Sequence, residues 1–268
     1  MVAHNIFSKR NRALLRELVV TDFKLRYQGS LLGYTWSLLR PLFFFLILYL
    51  VFVRFLRIGT SIPHYPVYLL LGIVLWNFFA ETTSQSLGSV VNRGDLIRKI
   101  RIPRWIIVIS SSVSALINFL LNMLVVLVFM VWTGADVSAT VIWLPLILVE
   151  IYMFALGVSL LLSAGYVKYR DLSHIWEIIL QGAFYLTPIL YPLTVITSHT
   201  LQQFLLLNPM GQAIQDARTM LITKDTVTIA EVYRNAAMRV VPVLISVVVL
   251  LLGVLYFRKQ AKYFAENI

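Results

Sequence analysis

The sequence predicts an all-α integral membrane protein that crosses the bilayer six times. Of its 268 residues, 59% are hydrophobic and 13% are charged, whereas soluble domains have about 45–50% and about 25%. Six apolar segments are long enough to span a bilayer, which takes about 20 residues. The basic residues, which give a net charge of +11, concentrate in alternate connections between these segments, as expected for a membrane topology.

The connections between the predicted spans differ in charge. Basic residues are frequent in the N-terminal arm, after the second and fourth spans, and after the sixth. The connections on the other side carry fewer, mostly in one long segment. Because the side rich in lysine and arginine is cytoplasmic, both termini are predicted to be cytoplasmic. The six spans are predicted at residues 31–55, 67–91, 105–132, 141–166, 175–193 and 240–257.

The N-terminal arm, residues 1–30, is predicted to form an interfacial helix between Ser8 and Tyr27. It lacks the compact apolar core and small-residue cleavage site of a signal peptide. Asp22 falls among leucines, so the two helical faces are not cleanly separated, although Asp22 and Arg26 are four residues apart and can pair. The alternative is a solvated basic arm that is attracted to anionic lipid.

The first span begins with the unusual stretch "RYQGSLLGYTWSLLRP", residues 26–41. Gln28, Gly29 and Ser30 allow the chain to turn from the arm into the span. Pro41 removes a backbone donor and should perturb the helix near Ser37. Trp36 and Arg40 are four residues apart and share a helical face. These features predict an interrupted helix at the cytoplasmic end of the span.

The connection between the second and third spans, "NRGDLIRKIRIPRW", predicts a short cytoplasmic helix. Asp95 is placed as its N-cap, and Pro103 ends it. Leu96, Ile97 and Ile100 supply its apolar residues. Such a helix can act as a lever, or it can simply connect two spans.

Polar residues recur at helical spacing in three of the predicted spans, which indicates faces hidden from lipid. They could line a path for a polar substrate, or they could hold neighbouring helices together. Three carboxylates, Glu81, Glu150 and Glu177, invite the functional interpretation most strongly. The repeating positions are Asn77, Glu81, Ser84 or Gln85, and Gly88; Ser111, Ser114, Asn118 and Asn122; and Glu177, Gln181, Tyr185 and Pro188.

The segment 194–239 is too long for a simple turn and carries signals for short helices on the outer side. Asn208 followed by Pro209 is typical of an N-cap with proline at the first helical position. Thr228 and Glu231 match a capping box. The last predicted span, 240–257, has almost no polar residues and suits a peripheral position. Residues 258–268 form a predicted cytoplasmic tail.

The sequence lacks the residues that several kinds of chemistry require. It has no cysteine, which excludes disulfides, thiolate metal sites and cysteine nucleophiles. No lysine lies in a phosphate-binding loop motif, the histidines form no H-E-x-x-H pair, and no serine lies in a G-x-S-x-G turn. We therefore expect neither catalytic residues nor metal ligands. Transport, scaffolding or lipid-linked glycosyl transfer remain, and uphill transport would require an ion gradient or a partner ATPase.

Four stretches of this sequence together resemble the membrane subunit of ABC-2-type polysaccharide exporters, the family that handles O-antigen, capsule and teichoic acid. Their order and separation also fit that family, over nearly the whole chain. The first carries the arginine–tyrosine, leucine–glycine, tryptophan and proline pattern. The four stretches are "RYQGSLLGYTWSLLRP", "NRGDLIRKIRIPR", "KYRDLSHIWEIILQGAFYLTPILYP" and "NPMGQAIQDAR".

The resemblance implies a single ABC-2-type transmembrane domain over residues 1–268, forming half of a transporter in a bacterial inner membrane. Two copies of the chain would combine with two copies of a separate ATPase that binds ATP and Mg²⁺. This chain would have no nucleotide site, cofactor or enzymatic activity of its own. The substrate would be a glycan on a polyprenyl diphosphate carrier, and nucleic acid is not an expected partner.

The resemblance also implies roles for particular residues. The connection after the second span would be the coupling helix that contacts the ATPase, and the outer segment would form gate helices. Aromatic residues would line the glycan path, and we hypothesise that Arg40 receives the diphosphate, a charge paired with another helix being the alternative. The candidates are Tyr34, Trp36, Arg40, Phe184 and Tyr185 for the path; Asp95, Leu96, Ile97, Lys99, Ile100 and Arg101 for coupling; and Asn208, Pro209 and Met210 for the gate.

Other functions remain as alternatives. Within transport, the chain could export teichoic acid, another cell-envelope glycan, or a small lipid or drug. The first and third stretches argue against a drug exporter. From other classes, it could be a lipid-linked glycosyltransferase or a membrane scaffold. The absence of an aspartate-rich metal or diphosphate motif disfavours the enzyme.

Overall fold

The computed structural model describes residues 8–27, 33–55, 57, 62–99, 102–135 and 137–264. All regular secondary structure within these ranges is helical, as the sequence predicts. The side chains of six further residues, Phe23, Leu25, Arg26, Tyr27, Tyr34 and Arg98, lie outside the described part. The helices are α1 (Lys9–Tyr27), α2 (Trp36–Leu48), α3 (Tyr65–Asn92), α4 (Gly94–Lys99), α5 (Trp105–Thr133), α6 (Leu144–Lys168), α7 (Leu172–Leu186), α8 (His199–Leu207), α9 (Pro209–Leu221), α10 (Ile229–Val232) and α11 (Val240–Gln260).

Five helical segments among the described residues are long and apolar enough to cross a membrane. They coincide with five of the six predicted spans, although Leu31, where the first was predicted to begin, lies outside the described residues. Short 3₁₀ turns extend two of these segments, and a π-helical turn, Tyr49–Phe55, extends α2. The five segments are Trp36–Phe55, Tyr65–Asn92, Trp105–Thr133, Ala139–Lys168 and Ala236–Tyr263.

The remaining predicted span, 175–193, corresponds to α7, which has 15 residues. At the helical rise of about 1.5 Å per residue this is roughly 22 Å, shorter than the apolar thickness of about 30 Å. The helix ends because Thr187 precedes Pro188, and a residue before proline favours extended backbone. Thr187 has φ −76° and ψ 136°. A sixth crossing therefore stays a prediction.

α3 is the central helix of the fold. It packs extensively on α5 and α6, and more lightly on α7 and α9. Most of its residues are buried, whereas few residues of α2 and α11 are buried. The main apolar core surrounds the α3 residues Tyr65–Phe79 and extends to side chains of α5, α6 and α9. α3 thus supports the elements that carry the candidate site.

α6 and α11 form the closest helix pair, at two glycines. A Cβ added at Gly157 would lie 2.6 Å from the backbone nitrogen of Leu250, and Gly253 faces the carbonyl of Gly157. Small residues allow such close approach between membrane helices. This contact fixes α11 at the periphery, the position predicted from its lack of polar residues.

α1 packs against α5, and α4 follows α3 with only Arg93 between them. The prediction that Asp95 is the N-cap of the short helix is wrong. The N–H of Ile97 donates to the carbonyl of Arg93 at 3.1 Å, so Arg93 takes the N-cap position and the helix begins at Gly94. Asp95 instead lies in the first turn, where its negative charge favours the helix dipole.

The segment 194–239 forms the short helices α8, α9 and α10, as the sequence predicts. Asn208 caps α9, since its side chain accepts the N–H of Met210 at 3.0 Å, and Pro209 is the first helical residue. Glu231 accepts the backbone N–H of Thr228 at 3.1 Å. α9 packs against α3 and α6, which places the outer segment over the central helix.

Candidate substrate path and coupling surface

Pro41 lies inside α2 and leaves the carbonyl of Ser37 without its helical donor. Asn122 of α5 supplies a replacement, because its Nδ2 donates to this carbonyl at 3.2 Å. The same nitrogen donates to the carbonyl of Asn118 at 2.8 Å. α2 continues through Pro41 without the predicted interruption, and the position of the missing hydrogen bond is where α2 is attached to α5.

The polar faces of α3 and α5 meet at Glu81. Its two carboxylate oxygens accept hydrogen bonds from Gln85 at 2.6 Å and from Asn118 of α5 at 2.7 Å. Both donors are side-chain amides, so each carboxylate oxygen has a hydrogen-bond partner within the bundle. These residues form contacts between helices and do not line a substrate path.

The three carboxylates singled out in the sequence have different surroundings. Glu81 is satisfied by amides, and Glu177 is exposed on α7. Glu150 on α6 is 4% exposed, and its Oε1 has no hydrogen-bond partner among the described residues. Helical spacing alone does not distinguish these three situations.

An aromatic seam joins α2, α3 and α7. The ring of Phe184 lies 5.9 Å from that of Phe44 and 6.0 Å from that of Trp76, measured between centroids. Phe79 contacts the ring of Trp176 at 6.2 Å. The indole Nε1 of Trp176 donates to Thr83 Oγ1 at 3.1 Å. We define the seam as Phe44, Trp76, Phe79, Trp176 and Phe184.

The predicted path residues divide between this seam and the surface. Phe184 is buried in the seam, at 8% exposure, whereas Tyr185 is 66% exposed and Trp36 is 44% exposed. Arg40 is exposed one turn after Trp36. The side chain of Tyr34 lies outside the described part. The structure thus places one buried and three exposed candidates on α2 and α7, which contact each other through Phe44 and Phe184.

An apolar cavity of about 430 Å³ lies between α2 and α5. Its walls come from both helices and from Pro66 at the start of α3, and nearly all of the lining is carbon. In a bilayer such a cavity accommodates hydrocarbon, because a polar group there would lose its hydrogen bonds. Its lining includes Leu42, Phe43, Leu46, Tyr49, Phe129 and Trp132.

Arg93 connects three helices at the C-terminal end of α3. Its guanidinium forms an ion pair with Asp22 of α1. It also donates to Ser110 Oγ of α5 at 2.8 Å and to the carbonyl of Ile107 at 3.5 Å. Asp22 was predicted to pair with Arg26, whose side chain lies outside the described part. Asp22 instead pairs with Arg93, which is distant in sequence. Helical spacing could not indicate this partner.

The predicted coupling residues lie next to this junction. Asp95 and Lys99 are exposed on α4, and Leu96 and Ile97 are half-buried. Ile97 packs against the apolar cluster that contains Val90 and Val108. Ile100 and Arg101 lie outside the described residues. α4 therefore presents charged side chains outward while its apolar side rests on the bundle.

Arg218 of α9 is a buried residue that the sequence reasoning missed. Its guanidinium is completely buried and donates to the carbonyls of Pro188 at 2.6 Å, Ile189 at 2.7 Å and Tyr68 at 3.1 Å. It also lies 3.5 Å from the centroid of the Tyr68 ring. Burial lowers the pKa of Arg218, and Tyr68 opposes that shift.

These contacts attach the outer segment to the break after α7. Gly72 provides the space for them, since a Cβ added there would lie 2.5 Å from Nη2 of Arg218. Arg218 is the last residue of the stretch "NPMGQAIQDAR", from which only Asn208, Pro209 and Met210 were selected as candidates. Asn208 is exposed, and Pro209 and Met210 are buried. The signal in the sequence that could have indicated Arg218 is its position as an arginine within an otherwise weakly charged helix.

Asp216 is a second buried charged residue of α9, at 7% exposure. Burial raises the pKa of its carboxyl, while a hydrogen bond from Gln212 at 2.6 Å and the charge of Arg239 lower it. Its Oδ1 has no hydrogen-bond partner among the described residues. α9 therefore buries both an anchored cation and an incompletely satisfied acid.

The chain has relatives among known proteins. The family model described as ABC-2 type transporter matches residues 13–221. The chain is 33% identical over 200 residues to the O-antigen export system permease protein RfbA of Myxococcus xanthus, which covers 74% of this chain and 76% of that protein. It is 35% identical over 192 residues to a protein of the same name from Klebsiella pneumoniae, covering 70% and 73%.

A more distant relative is the polysialic acid transport protein KpsM of Escherichia coli. It is 22% identical over 210 residues, which cover 77% of this chain and 80% of that protein. The family match extends from α1 to the end of α9 and so includes the aromatic seam, the Arg93 junction and Arg218. On this evidence the chain belongs to the ABC-2 type transporter family.

Proposed function

We propose that this chain is the permease subunit of an ATP-driven exporter of lipid-linked polysaccharide, with a polyprenyl diphosphate glycan of the O-antigen type as substrate. The observation that carries the proposal is its similarity, over about three quarters of both chains, to two permeases named for O-antigen export. The polysialic acid transport relative supports a glycan over a small drug as the transported molecule.

The surfaces of α2 and α7 support a glycan path. Trp36 and Tyr185 expose large aromatic side chains, and such rings pack against the apolar faces of sugars while their polar groups donate hydrogen bonds. Tyr185 contacts the buried seam through the ring of Phe184, at 5.3 Å between centroids. Tyr34, Phe184 and Arg40 complete the proposed path, with Arg40 receiving the diphosphate through charge-assisted hydrogen bonds. The apolar cavity between α2 and α5 suits part of the lipid carrier.

The proposed assembly contains two copies of the chain and two of a separate ATPase. Within each copy, α7 and the chain that follows it provide the sixth crossing, both termini are cytoplasmic, and the protein lies in the bacterial inner membrane. α8, α9 and α10 form the outer gate, beginning at Asn208, Pro209 and Met210. The exposed side of α4, with Asp95 and Lys99, contacts the ATPase, which binds ATP and Mg²⁺.

A deletion of the gene tests the proposal directly. Cells without this protein should accumulate glycan on its polyprenyl diphosphate carrier at the inner face of the cytoplasmic membrane and lose the same glycan from the surface. Extraction of the carrier-linked glycan and immunoblotting of surface polysaccharide measure these two effects. Complementation with the wild-type gene should reverse both.

The composition of the accumulated molecule distinguishes the glycan classes, since an O-antigen, a teichoic acid and a capsule differ in their sugars and phosphates. Unchanged carrier-linked glycan together with unchanged surface polysaccharide would contradict the proposal. Purification of the tagged chain from the same membranes should recover an ATPase. Substitution of Leu96 and Ile97 by aspartate should weaken that recovery, because α4 would no longer rest on the bundle.

A further inference from the structure

The junction at Arg93 joins the helix proposed to contact the ATPase to the two helices around it. Arg93 is the single residue between α3 and α4, and its carbonyl accepts the first backbone hydrogen bond of α4, from Ile97 at 3.1 Å. A displacement of α4 must therefore displace Arg93. Its side chain extends that displacement to α1 and α5, because the guanidinium binds Asp22 and Ser110.

The guanidinium of Arg93 binds side chains of two different helices. One terminal nitrogen pairs with Asp22 of α1, and the other donates to Ser110 Oγ of α5 at 2.8 Å. The side chains of Arg93 and Asp22 are 18% and 22% exposed. A pair this well covered is screened less by salt than an exposed ion pair. The planar guanidinium holds both partners at once, which a lysine ammonium cannot do with the same geometry.

We propose that Arg93 is a positioning residue that makes α1, α4 and the cytoplasmic end of α5 move as one unit when the ATPase acts on α4. This inference rests on the proposed contact between α4 and the ATPase. α1 already packs against α5, so the ion pair adds the link between that pair of helices and α4. Without the link, ATP hydrolysis would displace α4 while α1 and α5 stayed behind.

The first test measures glycan transported per ATP hydrolysed, with the chain and its ATPase reconstituted in proteoliposomes containing carrier-linked glycan. Asp22→Asn and Arg93→Gln should each lower this ratio about fivefold, a size typical of one coupled pair. The double variant should be no worse than Arg93→Gln alone, because both substitutions remove the same ion pair. Glu17→Gln and Arg16→Gln, which change charge at exposed positions of α1, should keep the wild-type ratio.

The second test does not depend on the substrate. The chain has no cysteine, so single cysteines at Glu17 of α1 and Lys99 of α4 accept spin labels without background. Their distance should stay the same in the wild-type complex when ATP is added, and it should change or broaden in Asp22→Asn and Arg93→Gln. Arg93→Lys, which keeps the charge, gives a folded alternative if Arg93→Gln does not assemble, and it should show an intermediate ratio.

Wild-type ratios in both single variants, losses that add in the double variant, or an unchanged label distance in the variants would each overturn the inference. A wild-type complex that carries no glycan would contradict the proposed function, and the label distances would still decide the role of Arg93. A working wild-type complex with unaffected variants would contradict only the role of Arg93.

Discussion

Asn122 of α5 donates a hydrogen bond to the carbonyl of Ser37 across 3.2 Å, at the backbone position where Pro41 removes the helical donor. The proline removes one hydrogen bond of α2 without ending the helix, and the asparagine supplies a replacement from a neighbouring helix. An unpaired carbonyl in hydrocarbon is costly, so the two residues depend on each other. Trp36 and Arg40 flank this attachment point, which makes it the support of the proposed substrate entrance.

Asn122→Leu should therefore lower the free energy of unfolding by about 1–2 kcal/mol, because it removes the hydrogen bond that Asn122 donates to the carbonyl of buried Ser37. In a Pro41→Ala background the loss should be clearly smaller, since the N–H of the new alanine can bond Ser37. Thermal unfolding in detergent of the wild type, both single variants and the double variant measures the coupling. Equal losses in the two backgrounds would contradict it.

Gly72→Ala should destabilise the protein by roughly 1–3 kcal/mol, the range for overpacking in a full core. The added Cβ would lie 2.5 Å from Nη2 of Arg218 and would push the guanidinium away from the carbonyls of Pro188 and Ile189. Gly182→Ala on α7 is the matched control, since nothing lies within 4 Å of a Cβ added there. It should be neutral or slightly stabilising. Similar unfolding temperatures for the two variants would count against the anchoring role of Arg218.

Phe184→Ala and Tyr185→Ala should differ in their effects on stability and on glycan export, although the residues are adjacent. Phe184 is buried between Phe44 and Trp76, so its removal should cost about 3 kcal/mol of stability. Tyr185 is exposed, so its removal should change stability by less than about 0.5 kcal/mol while reducing glycan export. Thermal unfolding and surface polysaccharide measured on the same strains separate the two effects. Full export with Tyr185→Ala would remove Tyr185 from the path.

Arg40→Gln should raise the concentration of carrier-linked glycan needed for half-maximal ATPase stimulation by about tenfold, as expected for the loss of a hydrogen bond to a charged group. Arg54→Gln, an exposed basic position near the other end of the same helical segment, should leave it unchanged. Titration of the reconstituted complex with the lipid-linked substrate gives both values. If Arg40→Gln behaves like the wild type, the diphosphate contact is elsewhere.

The buried carboxyl of Asp216 should make stability depend on pH. Because burial raises its folded pKa above the ordinary value of 3.8, the neutral form favours folding at low pH. That contribution is lost as the pH rises through the folded pKa. Asp216→Asn should therefore unfold at a higher temperature than the wild type at pH 7, and the difference should shrink as the pH falls toward 3.8. Asp225→Asn, at an exposed position, should show no such trend, and an equal trend there would refute the assignment.

Local features of the chain predicted much of this fold. Apolar segments of the right length gave five of the observed long helices, and Asn208 with Pro209 marked the start of α9. Where local signals competed, prediction failed. Asp95 is a strong N-cap residue, yet α3 ends so close to it that Arg93 receives the first hydrogen bond of α4. The helix of α7 ends before Pro188, although the apolar composition continues to Leu193.

The sequence by itself determined the class of protein, the spans with strong apolar character, the N-cap at Asn208 and the missing donor at Pro41, because each depends on residues within a turn or two of chain. Only the tertiary structure decided which distant residues are the hydrogen-bond partners of the buried polar groups. Asn122 reaches Ser37 over a separation of 85 residues, and Arg218 reaches Tyr68 over 150. Buried polar groups bind whichever partners the packing of the helices places next to them. The spacing of residues along one helix does not predict which residues of another helix those partners are.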